Sequence, residues 1–171
     1  YLEDVWYYGN MSRSAWLDTG LRDNPLAATY SFNLVDHEEG VDDEEGANIV
    51  AISSYIESAQ FDLDDGHQFM FIWRVLPDIS FDGSTINAPN ATLSLLPLAN
   101  SGSGYNDPLS EGGANAAVVT RSATTPVEKY TGEVYTRVRG RQMAVKIAST
   151  AVGVTWQLGT PRIDMRADGR R

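Results

Sequence analysis

The chain has 171 residues, 42% of them apolar, which is enough for one sizeable core or two small ones. It contains no cysteine, which excludes disulfide scaffolds, thiolate zinc sites and cysteine nucleophiles. Its net charge of -10 argues against a free nucleic-acid binder, because neutralising phosphates needs a net basic face. No apolar run approaches the roughly 18 to 20 residues that span a bilayer, so membrane insertion is not expected.

The charge is uneven along the chain. Residues 1–120 hold three arginines against 19 acids, whereas residues 121–171 hold ten Lys or Arg against four acids. Such asymmetry suggests complementary ends that meet within one chain or between copies.

The opening "YLEDVWYYGN" has neither the basic flank nor the apolar core of a signal peptide, and it begins directly in strand-like sequence. The chain therefore reads as the C-terminal piece of a longer polypeptide. "VWYYGNMSRSAWLDTG" carries an aromatic strand, a glycine turn and a short Trp-bearing strand, the pattern of the closing strands of a β-propeller blade. With the acidic loop that follows, "EEGVDDEEGAN", this gives a first part over residues 1–48.

Residues 49–171 then read as an antiparallel β-sandwich domain. Further strands are expected at "ATYSFNLVDHE", "AISSYIESAQFDL", "ATLSLLPLA" and "AAVVTRSA", with a Gly/Ser/Asn loop over 99–115. In "HQFMFIWRVLPD", alternation sets Phe69, Phe71, Trp73 and Val75 on one face and Met70, Ile72 and Leu76 on the other. A strand apolar on both sides is a central one covered on both faces. Pro77 ends it, having no donor for the ladder. "EKYTGEVYTRVRGRQMAVKIAS" reads as a β-hairpin with Gly140 at the turn, and with Val134, Thr136, Val138, Met143, Val145 and Ile147 on its dry side. "VGVTWQLG" and "PRIDMRADG" repeat the alternation, with Val154, Trp156, Leu158, Ile163 and Met165 inward. The count is eight or nine strands, with helical periodicity nowhere sustained, so the fold class is all-β.

Chemistry is sparse. His37 and His67 have no second histidine at metal-ligand spacing, and "DLDDG" and "VDDEEG" miss the ligand positions of an EF-hand loop. Neither a nucleophile elbow nor a phosphate-binding loop occurs. Asn10 and Asn90 sit in glycosylation triplets, and Trp6, Tyr7, Tyr8 and Trp16 read as buried blade aromatics before they read as a sugar platform. No catalytic residue, metal or cofactor is expected.

The runs "IESAQFDLDDGHQFMFIWRVLPD", "RGRQ" and "WQLGTPRIDMRADGRR", in that order, resemble the C-terminal region of a family of tailed-phage virion proteins. Upstream, "VWYYGNMSRSAW" and "HEEGVDD" do so too, so the similarity covers most of the chain. The counterpart in that family is the tubular nozzle of podovirus-type tails, a β-propeller with added β-domains. The resemblance implies a non-enzymatic tail component in the virion, assembled with copies of itself in a ring and touching neighbouring tail proteins, with DNA only in transit. An acidic wall over 1–120 would suit such a conduit by repelling phosphates. Arg137, Arg139, Arg141, Arg162 and Arg166 are then expected at a subunit seam, with the tail as an edge strand. The alternative is a carbohydrate-binding β-sandwich of the virion surface, using the aromatic strands or the 99–115 loop. A third reading, a glycan-degrading enzyme, requires paired carboxylates in a cleft.

Overall fold

The computed structural model of the protein describes residues 11–18, 23–45, 48–99 and 122–170. The fold is all-β: fifteen antiparallel strands and one 3-10 turn make up the regular structure of the described residues. The count exceeds the expected eight or nine because many of the strands are two or three residues long. The expected elements at residues 1–10 and most of the 99–115 loop and "AAVVTRSA" lie outside the described residues.

The chain divides into two compact units, Tyr1–Gly40 with Glu45–Ala47, and Val41–Glu44 with Asn48–Arg171. In the first, β1 (Ala15–Leu17), β2 (Leu26–Ala28) and β3 (Leu34–Asp36) form one antiparallel sheet in chain order. "ATYSFNLVDHE" is thus not a single strand but parts of two joined by a turn. Thr29, 4% exposed, turns the chain: its Oγ1 accepts the amides of Ser31 and Asn33, both at 3.2 Å, and Phe32 takes a left-handed φ of 64°. A threonine hydroxyl that bonds amides ahead of it competes with the ladder and stops a strand.

In the second unit β4 (Asp42–Asp43) pairs with β5 (Val50–Ala51). The larger sheet runs β11 (Ala123–Glu128), β10 (Asn90–Leu98), β13 (Gln142–Ser149), β6 (Ser54–Glu57), with β7 (Phe61–Asp62) also on β13. The smaller sheet runs β12 (Val134–Gly140), β8 (Met70–Leu76), β15 (Arg162–Ala167). A short pair, β9 (Ile79–Ser80) with β14 (Gln157–Leu158), completes the set. Residues of these two sheets enter one core: Leu93, Leu95, Val127, Met143 and Ile147 from the larger, Met70, Ile72, Val75, Val134 and Val138 from the smaller. Each fully buried Leu, Ile or Met side chain there contributes about 1.5–3 kcal/mol by leaving water.

Two expectations are corrected here. The hairpin at Gly140 does not form: β12 pairs with β8, and β13 pairs with β10, β6 and β7. The chain instead crosses from one sheet to the other at Arg141, whose amide is held by Leu98 O at 2.9 Å. A single connecting residue is too short for a two-residue hairpin turn, and a bend of this kind is how a strand changes sheets at a sandwich corner. Glycine is required at the corner, since a Cβ on Gly140 would lie 2.9 Å from both Pro97 Cβ and Gln142 O.

The second correction concerns β8, which is central in its sheet but does not alternate throughout. Met70, Ile72 and Val75 are fully buried, whereas Trp73 is 37% exposed, so inward residues are separated by two positions and then by three. The registers show the cause. Asp164 and Met165 are neighbours on β15 yet pair with Arg74 and Ile72, leaving Trp73 without a partner there. On the other side, Thr136 and Arg137 together stand opposite Trp73, between the pairs Tyr135–Arg74 and Val138–Ile72. β8 carries the extra residue against β15, and β12 carries one against β8, both at the level of Trp73, and such irregularities re-aim the side chains around them.

Candidate binding face

The outer face of the β12-β8-β15 sheet is built by that bulge. Strict alternation would place Arg74 with Met70 and Ile72 in the core, where a lone cation is costly. The extra residue turns Arg74 outward instead. There its Nε donates to Asp164 Oδ2 at 2.6 Å, and its Nη1 donates to Glu133 Oε1 at 3.2 Å. The hydrogen bond and charge of Asp164 raise the Arg74 pKa above its ordinary value, so the side chain stays charged. Glu133 Oε2 accepts the Tyr135 hydroxyl at 2.7 Å, and this bond raises Tyr135 above the usual tyrosine value. A chain of four side chains, Asp164, Arg74, Glu133 and Tyr135, thus crosses all three strands and sets the tyrosine ring.

Beside this chain lies an open depression of about 640 Å³ lined by Phe71, Trp73, Tyr135, Thr136 and Arg137. Tyr135 is 73% exposed. Phe71 is half-buried and carries the Arg166 guanidinium, 5.3 Å from its ring centroid.

The five arginines expected at a seam separate into two groups. Arg139 and Arg141 are spent inside the fold. Arg139 pairs with Asp168 (Nε–Oδ2 2.6 Å) and donates to Asp168 O at 2.9 Å. Arg141 donates to the carbonyls of Gly66, His67 and Arg170 at 2.9–3.1 Å. Both guanidiniums lie over buried Phe69. Arg137, Arg162 and Arg166 are exposed and form no ion pair among the described residues. Sequence reasoning counted Trp73 with a buried face and left Phe71 and Tyr135 out of any site. The signal that would have found them is Arg74, a charge falling on the apolar side of a strictly alternating strand.

The remaining motifs resolve as local structure. Asp64, Asp65 and Gly66 all have left-handed φ (56°, 50° and 74°), forming the turn of "DLDDG", with Asp62 on Gln142 and Asp64 on Gln68. In the first unit Arg13 bridges His37 Nε2 at 3.1 Å and Glu45 at 2.9 Å, and the Trp16 ring packs on His37 at 4.5 Å. Trp16 is 59% exposed; Trp6, Tyr7, Tyr8 and Asn10 lie outside the described residues. Among the described residues no three His, Asp or Glu side chains gather as metal ligands, and no helix is long and apolar enough to cross a membrane. No protein-family model matches the chain, and a search of curated proteins likewise returned no match.

Proposed function

We propose that this chain is a non-enzymatic structural module of a phage tail of the nozzle type, assembled with copies of itself and with neighbouring tail proteins around the path of DNA. The observation that carries the reading is the edge strand β15, the last in its sheet, which presents Arg162 and Arg166 with no ion-pair partner among the described residues. Uncompensated cations on the rim of an acidic protein favour contact with the acidic surface of another copy. The motif pattern adds support. "FMF", "RGRQ" and "DGRR", which carry the resemblance, meet at Phe69, so their order in the chain serves one corner of the fold.

A head-to-tail contact of this kind closes into a ring when its rotation allows. Light scattering on the chain at low salt is expected to give an oligomer that dissociates in Arg162→Glu/Arg166→Glu and at high salt. A mass independent of both substitutions and of salt would remove β15 as the seam.

A further inference from the structure

We propose that the depression on the outer face of the β12-β8-β15 sheet is a binding site for an acidic sugar, with ring stacking on Trp73 and Tyr135 and a carboxylate held by Arg137. This goes beyond assembly and does not rest on it.

Size decides first. The depression has a volume of about 640 Å³, within the range of sites for small ligands, and is open to solvent. The site is also preorganised. The Tyr135 hydroxyl is held by Glu133 at 2.7 Å, at the end of a chain of polar contacts that runs on through Arg74 to Asp164. What Tyr135 still offers is its ring face, and a rigid ring loses little entropy on stacking. The C–H-lined face of a pyranose is weakly positive and meets the negative face of an aromatic ring favourably.

Charge decides the rest. Arg74, beside the depression, is already paired with two carboxylates, Asp164 and Glu133, whereas Arg137, in its lining, forms no ion pair among the described residues. A guanidinium with five donors in a plane matches a carboxylate in two-point contact, so a uronate is preferred to a neutral sugar. A nucleic acid would also stack, but it needs a run of cations along its backbone, and this chain carries a net charge of -10.

The test titrates the 171-residue chain with trigalacturonate, maltotriose and a ten-residue oligothymidylate, followed by the indole N–H signals in NMR spectra. Trp73→Phe assigns the Trp73 signal. Trigalacturonate is expected to shift that signal with a Kd of about 0.1–1 mM, and maltotriose to bind about tenfold more weakly. Arg137→Gln is expected to weaken trigalacturonate about tenfold and leave maltotriose unchanged, the size of a lost charge-assisted hydrogen bond. Tyr135→Ala, a change at a mostly exposed side chain, is expected to abolish both. No shift of the Trp73 signal at about 10 mM trigalacturonate overturns the proposal. So does tighter binding of the oligothymidylate at the same signal. A loss of oligomer mass in Tyr135→Ala without any sugar binding identifies the face as a protein contact instead, and leaves the β15 experiment to decide assembly separately.

Discussion

The guanidinium carbon of Arg139 lies 4.2 Å from the centroid of the Phe69 ring, and Phe69 is 8% exposed. The Arg139 side chain is 25% exposed, and a partly desolvated cation over a π face contributes about 0.5–2 kcal/mol. The same side chain reaches Asp168 through both the carboxylate and the carbonyl, while Phe69 exchanges backbone bonds with Gly169 and Asp168 at 2.8 and 2.7 Å. Arg139→Ala is therefore expected to lower stability by about 2–4 kcal/mol in urea unfolding. Arg139→Lys should recover only part of it, because an ammonium lacks the planar fork. A full recovery by lysine would mean that charge alone, not stacking and two-point bonding, holds the corner.

Removing residues 160–171 takes β15 away from β8, exposes the edge beside Ile72 and Val75, and leaves Arg74 without Asp164. A loss of about 3 kcal/mol or more is expected, read as a thermal midpoint lower by about 6–12 °C. A wild-type midpoint in the truncated chain would contradict the pairing of this strand with the sheet.

Gly140→Ala puts a Cβ 2.9 Å from Pro97 Cβ and from Gln142 O, one of them backbone that cannot yield cheaply. The expected cost is about 1–3 kcal/mol, the range of overpacked sites. Gly132→Ala, where a Cβ meets nothing within 4 Å, serves as the control and should differ little from wild type in the same melts.

Tyr135 is expected to ionise above the ordinary tyrosine value of 10.0, because its hydrogen bond to Glu133 favours the protonated phenol. The sign follows: a pKa raised on folding gives a stabilising contribution that is present below the unfolded value and is lost as pH rises through the folded one. Tyrosinate absorbance, as the difference between wild type and Tyr135→Phe, measures it. Glu133→Gln should move the transition back toward the ordinary value, and an unmoved transition would separate the tyrosine from its carboxylate.

Period-two alternation located the body of β8, β10, β13 and β15 and the inward side of Val134, Val138, Met143, Val145 and Ile147, but it set Val75 opposite Met70 and Ile72, which share one core with it, and put Thr136, which lines the outer depression, on the dry side. That much is legible because side chains on a strand face opposite ways, whatever lies beyond. The inward assignments of Ile163, Met165, Val154, Trp156 and Leu158 agree with their packing against the core. The same reasoning misread β12 and β13 as partners, because two adjacent alternating runs satisfy the hairpin pattern equally when each belongs to a different sheet.

The all-β class and the apolar stripes were properties of the chain by itself, set by local sterics and by which side chains leave water. Pairing, the bulge at Trp73 and the binding face around it were decided only by the tertiary structure. Their determinants are contacts between distant residues: Arg74 meets Asp164 across 90 positions, and Arg141 reaches back to Gly66 across 75. A burial pattern records that a residue must face inward or outward, but not which strand lies beside it, and one inserted residue reverses every face beyond it.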